Sequence, residues 1–170
     1  SVLTISLDAK ISALADRRWQ VSRVAEGTAR LDSQRITQAV LQLAQNAVQH
    51  TAEGDAITLA SDVVDDPQLG RALAISISDT GPGVPVADRE RIFQRFYEVR
   101  DDKLHSTSQH QFLGGGVGLG LAIARGIVEA HGGWVWVESE VYDLNTCPGS
   151  RFHVLMPVRS TRKAAAQGAA

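Results

Sequence analysis

The 170-residue chain holds one cysteine, one methionine and five prolines, and only 5% of its residues are aromatic. A lone Cys147 can neither close an internal disulfide nor build a cysteine zinc site, which suits a reducing compartment. No apolar run approaches the roughly 20 residues that span a bilayer, so direct membrane insertion is not expected. No basic footprint for a nucleic-acid backbone is present, because 17 Lys and Arg stand against 19 Asp and Glu with no long run of either sign. The N-terminus lacks a charged-then-apolar secretory leader, and the expectation is a cytoplasmic protein. Sequence patterning begins directly at Ser1, which reads as a fragment of something longer.

Whole enzyme classes are missing as motifs. There is no GxxxxGK[ST] phosphate loop, no GxSxG nucleophile elbow and no HExxH zinc helix. The five histidines are scattered, and His105 and His110 have no acidic partner at ligand spacing.

What remains is 44% apolar residues, enough for one core, so a single domain over 1–157 and a tail over 158–170 with nothing to bury are expected. Leu3, Leu7, Ile11 and Leu14 mark a short helix within 2–17, and short strands fit 19–25 and 28–31. Asp32 or Ser33 can cap a long helix over 33–51, with Ile36, Val40, Leu43 and Ala47 on its apolar stripe and Gln42, Asn46 and Gln49 on an amide face. Alternation predicts a hairpin of two strands, near 57–63 and 72–79, turning at 65–70. Asp88 opens a short helix through Phe93, a second strong helix runs over 117–131 to Gly132-Gly133, and strands follow at 134–140 and 150–157. Residues 98–116 carry no period, and a stretch of that kind inside a compact domain reads as a lid. The element order lacks strict βαβ alternation and fits an α+β class: a two-layer sandwich whose mixed, mostly antiparallel sheet is covered on one face by helices.

Three features could carry chemistry. In Asp79-Thr80-Gly81-Pro82-Gly83, the carboxylate continues the inward face of Leu73, Ile75 and Ile77, where it needs a donor such as protein, water or an adenine amine. Gly81 and Gly83 would let backbone approach a flat ring, and the same residues would also serve a plain Asp-capped turn. Gly114, Gly115, Gly116, Val117, Gly118, Leu119, Gly120 and Leu121 open a helix, where free N–H groups and the positive end of the dipole attract phosphate. The spacing is not the dinucleotide GxGxxG fingerprint, and hinge glycines without a ligand are the competing reading. Asn46 offers an amide oxygen, a hard neutral ligand for Mg²⁺ already held by phosphates, or else a solvated helix surface.

In their order these segments resemble the ATP-binding catalytic domain of bacterial sensor histidine kinases, of the GHKL ATPase superfamily and its Bergerat fold. VLQLAQNAVQHT (40–51) is similar to the family's asparagine box, DTGPGVP (79–85) to its first glycine box, RIFQRFYE (91–98) to its phenylalanine box and GGGVGLGLAIARGIVEAHGG (114–133) to its second glycine box. PGSRFHVLMP (148–157) resembles the closing glycine motif and last strand. The resemblance covers about residues 30–157. It implies that ATP and Mg²⁺ are the ligands, that Asn46 coordinates the metal and that Asp79 binds the adenine amine. It also implies that Gly81 and Gly83 shape the adenine pocket and that Ser150 reaches the base through water. Phe93 and Phe96 would anchor the lid, Tyr97 would join the ATP site, and Lys103 would face the phosphates.

Departures from the pattern stand at Gln42 (Asn in many relatives), Gln49 (a phosphate-binding Lys), His50 (Tyr or Phe) and Glu98 (Arg). Arg95, Arg100 or Lys103 would have to compensate for the lost cations, or ATP affinity is modest. Hydrolytic members of the superfamily place a Glu one turn before the metal-binding Asn. Gln42 cannot serve as that base, so phosphoryl transfer is the implied reaction. No histidine sits in an acceptor motif, so the expected partners are the chain's own dimerisation and phosphoacceptor domain, then a response regulator, with residues 1–17 as the connection. The fragment itself is expected to be monomeric and unable to phosphorylate itself. The alternative is a nucleotide-binding regulatory or anti-sigma-type serine kinase module of the same superfamily.

Overall fold

The first helix, α1 (Ser33–Gln49), starts where Asp32 accepts a hydrogen bond from the Arg35 N–H at 3.1 Å, satisfying one of the donors that a helix start leaves free. Ile36, Ala39, Val40, Leu43, Ala44 and Ala47 recur at helical spacing and are all buried. Its end comes two residues before the expected Thr51. The Arg17 guanidinium donates to the carbonyls of Val48 (3.3 Å) and Thr51 (2.9 Å), and the Thr51 hydroxyl donates to Ala47 O (2.8 Å). A cation at the negative end of the helix dipole is the favourable arrangement.

The computed structural model of the chain describes residues 14, 16–26, 31–97, 99 and 118–158. The helix expected over 2–17, the strand over 28–31, the lid over 98–116 and the tail over 158–170 lie wholly or largely outside the described residues.

Five strands form one sheet in the order β1-β2-β3-β5-β4: β1 (Arg18–Arg23), β2 (Ala56–Asp66), β3 (Gly70–Asp79), β4 (Trp134–Glu138) and β5 (Ser150–Pro157). Only β1 and β2 run parallel; the other three pairings are antiparallel, so the sheet is mixed and mostly antiparallel as expected. The β2–β3 hairpin turns where Asp66 accepts from the Gln68 and Leu69 N–H groups, each at 2.9 Å, and Gly70 takes φ +68°. Period two puts Ile57, Leu59, Ile75, Ile77, Phe152, Val154 and Met156 on one buried face. Helix α1 and the second helix, α2 (Gly120–Ala130), cover that face, and α2 buries Ala124 and Val128 there. This is the expected two-layer α+β arrangement.

Two boundaries differ from expectation. Residues 88–93 are not one short helix but two single 3-10 turns, Val86–Asp88 and Arg91–Phe93, neither with a side-chain cap. Ile92 and Phe93 point inward from the second turn, Phe93 meeting Phe152 edge-on with ring centroids 6.2 Å apart, so packing rather than a helical ladder holds the segment. Helix α2 begins at Gly120, not 117, because Gly118 takes φ +63°, a conformation that no α-helix continues.

Candidate functional site

Sheet register aligns Ile57, Asp79 and Ser150 across β2, β3 and β5. The period that buries Ile75 and Ile77 therefore also buries Asp79, which is 7% exposed and the one polar or charged side chain in the core among the described residues. Its Oδ1 accepts from the Gly81 N–H at 2.9 Å and its Oδ2 from the Ser150 hydroxyl at 2.6 Å. Burial pushes the Asp79 carboxyl above the usual aspartate range, against the pull of these two donors and of nearby His50. Each oxygen keeps further acceptor capacity for a ligand donor.

Glycine is demanded around this carboxylate. A Cβ on Gly81 would lie 2.5 Å from the His50 carbonyl oxygen. One on Gly83 would fall on the Val141 carbonyl oxygen, and one on Gly149 on the Asp79 carbonyl oxygen. The missing side chains of these glycines are thus replaced by protein backbone, which draws the 139–149 loop onto the turn after β3. Gly149 N–H donates to Gly81 O and Asp143 N–H to Pro82 O, each at 2.8 Å. Ser139 joins the same seam, accepting from the Val84 N–H at 3.0 Å, while Arg89 donates to the Ser139 carbonyl. Sequence reasoning missed Ser139 and Arg89, since an isolated Ser and a surface-type Arg carry no signal without the loop contact.

Along α1, Gln42, Asn46 and His50 recur every four residues, so they follow one line on the helix surface. At one end, Gln42 Oε1 abuts the start of α2, where a Cβ on Gly120 would come within 2.7 Å of it. At the other end, His50 stands beside Asp79, and the two interact electrostatically. His50 is exposed, yet desolvation by the protein around its imidazole lowers its pKa, and the Asp79 charge opposes the shift. Asn46, half-buried, stands between Gln42 and His50 on that line. Gln49, seven residues after Gln42 and so on the same amide face, is exposed.

Leu119, at the N-cap of α2, makes no side-chain cap hydrogen bond. Phe96, at φ +60° and exposed, donates its N–H to Gly118 O at 2.8 Å, and Gly118 is so close that a Cβ would sit 2.9 Å from Phe96 Cα. Tyr97 is half-buried, as are Leu119 and Leu121. Lys103, Gly114, Gly115, Gly116, Val117, Glu98 and Arg100 lie outside the described residues. Among the described residues no cluster of three or more His, Cys, Asp or Glu could hold a metal by itself.

A helix-covered mixed sheet, with a buried carboxylate at the end of its central strand and a glycine-started helix across from it, is the layout of a nucleotide-binding ATPase domain. Residues 31–160 match the family described as histidine kinase-, DNA gyrase B-, and HSP90-like ATPase, and the chain belongs to that family. It is 40% identical over 109 residues to the sensor histidine kinase WalK of Bacillus subtilis, covering 64% of this chain and 16% of that protein. It is 35% identical over 127 residues to the adaptive-response sensory kinase SasA of Trichormus variabilis, covering 75% and 27%. The chain therefore spans less than a third of the length of these relatives. Among solved structures, a mycobacterial sensor histidine kinase, MprB, superposes with a TM-score of 0.66 at 26% identity, covering 93% of each chain. Full-length ShkA in complex with AMPPNP superposes with a TM-score of 0.69 at 26% identity, covering 94% of this chain and 30% of that one. No helix among the described residues is long and apolar enough to cross a membrane.

Proposed function

We propose that this chain is the catalytic domain of a two-component sensor histidine kinase. It binds Mg·ATP and presents the γ-phosphoryl group to a histidine on a separate dimerisation domain, from which the group passes to a response regulator. The observation that carries the reading is the line along α1: Gln42 against Gly120, Asn46 in the middle, and His50 beside Asp79. A carboxylate for a base, an amide for a metal and a helix start for phosphates thereby follow one another along one side of α1. The relatives' sensor-kinase names and the AMPPNP complex of ShkA support the same ligand and role.

The residues fit the nucleotide. Asp79, with both oxygens already oriented by Gly81 and Ser150, would accept from the adenine amine. Gly118, Leu119, Gly120 and Leu121, continuing from Gly114, Gly115, Gly116 and Val117, would surround the phosphates, with Lys103 as their cation. One amide oxygen cannot hold Mg²⁺ alone, so Asn46 fits a metal that arrives on the phosphates, where the metal would neutralise developing charge. Gln49, His50, Phe96 and Tyr97 complete the rim. An open groove along α2, lined by Leu119, Ile123 and Ile127 with Arg35 and Arg95 at its edge, begins at the same helix start and supports a partner surface for the phosphoacceptor domain. We place the domain on the cytoplasmic side and take the isolated chain to be a monomer.

Thermal stabilisation by a non-hydrolysable ATP analogue, with and without Mg²⁺, tests the binding. Ligand at about 100 times its Kd stabilises by about 2.7 kcal/mol. No gain at millimolar analogue would overturn the reading. Labelled ATP is expected to leave no acid-labile phosphate on this chain alone and to label a separately supplied dimerisation domain of the same kinase.

A further inference from the structure

Resting on that reading, we infer that Tyr97 and Asp88 are positioning residues for the triphosphate, acting through Phe96 on the start of α2. The Tyr97 hydroxyl donates to Asp88 Oδ1 at 2.5 Å, the length of a charge-assisted O–H···O bond. The Arg91 guanidinium lies over the Tyr97 ring at 4.6 Å from its centroid and 3.8 Å from the same Asp88 oxygen. Three side chains from the two 3-10 turns and the residue after Phe96 thus grip one another.

The grip has a backbone consequence. Phe96 is held between Arg95 and the clamped Tyr97 in a left-handed conformation that a phenylalanine does not adopt without constraint. In that conformation its N–H donates to Gly118 O, and Gly118, itself at φ +63°, is the turn that sets α2 going at Gly120. Loosening Tyr97 removes the constraint on Phe96, and loosening Phe96 frees the helix start whose N–H groups face the phosphates. Asp79 and the adenine end are reached by none of these contacts, so the effect is confined to the phosphate end.

Two readouts on this chain test the inference. In the ligand-free protein, Tyr97→Phe, which keeps the ring under Arg91 and loses the hydroxyl, is expected to lower hydrogen-exchange protection of the Phe96 amide. Asp88→Asn retains an acceptor oxygen and is expected to keep most of that protection. Unchanged protection in Tyr97→Phe overturns the inference without touching the nucleotide reading. In binding, Tyr97→Phe is expected to weaken a Mg-bound non-hydrolysable ATP analogue by roughly fivefold, the scale of one lost hydrogen bond, while the Kd for adenosine stays unchanged. Equal weakening of both ligands marks general destabilisation and overturns it, as does no weakening of either. Wild type that binds neither ligand overturns the nucleotide reading and this inference together.

Discussion

The Ser150 hydroxyl donates to Asp79 Oδ2 at 2.6 Å, so the first residue of β5 orients the last residue of β3. The carboxylate is thereby aimed before any ligand arrives, which is the preorganisation that the proposed base recognition would need. Four expected outcomes follow from the geometry around it and from the core beneath.

Asp79 titrates against the fold. Its carboxyl is raised by burial, so between an ordinary aspartate pKa of about 3.9 and the raised value the folded chain keeps a proton that the unfolded chain has lost. Stability conferred at this site falls as pH rises through that window. Asp79→Asn is expected to remove this slope from urea-unfolding free energies measured across the window. The same substitution puts an amide donor opposite the adenine amine and is expected to weaken the ATP analogue by about tenfold or more. A mutant with the wild-type slope and affinity would remove Asp79 from both roles.

On the proposed reading, Asn46 serves the metal and not the base. Asn46→Ala is expected to abolish the Mg²⁺-dependent increment in analogue binding, a loss of at least about tenfold, while adenosine binds as before. Chelating the metal from wild type should give the same pattern. Calorimetry with each ligand, with and without Mg²⁺, decides the matter, and a loss of adenosine binding would reassign Asn46 to the pocket itself.

Gly149 holds the seam closed. It takes φ +84°, and a Cβ there would fall on the Asp79 carbonyl oxygen. Gly149→Ala is expected to cost at least about 2 kcal/mol in unfolding free energy, from backbone strain and the forced shift together. Gly126→Ala is the matched control, since nothing lies within 4 Å of its added Cβ and its φ is ordinary. That change should be neutral or slightly stabilising, because it sits within α2.

Core and cap contributions should differ in size. Phe152 is 1% exposed and packs edge-on against Phe93, so Phe152→Ala is expected to cost about 3–5 kcal/mol. Asp32→Ala removes the cap of α1 and is expected to cost about 1 kcal/mol. Chemical denaturation of both variants checks the ratio, and Asp32→Ala should leave nucleotide affinity unchanged because the cap lies at the far end of α1 from His50.

The strands and helices were legible wherever a period ran long enough to declare one buried face. Ile36, Ala39, Val40 and Leu43 mark α1, and Ile75, Ile77 and Asp79 mark β3; the same alternation already directed Asp79 inward. Local patterns of that kind are properties of the chain itself, because a helix or strand with one apolar stripe has only one face to bury. Where the stabilising contact came from a distant part of the chain, local reading failed. Residues 88–93 read as one short helix opened by Asp88, whereas Phe93 is held by Phe152, far along the chain. The end of α1 is met by Arg17, from before β1, whose guanidinium donates to the Val48 and Thr51 carbonyls.

The sequence by itself determined the fold class, the order of elements and the identity of the inward carboxylate, since each follows from residue periodicity and from glycine and aspartate at turns. Only the tertiary structure decided what those residues meet: Ser150 on Asp79, Val141 against Gly83, Gln42 against Gly120, and Tyr97 on Asp88. These meetings depend on sheet register and helix packing, which arise from the whole core at once and leave no trace in the spacing of neighbouring residues.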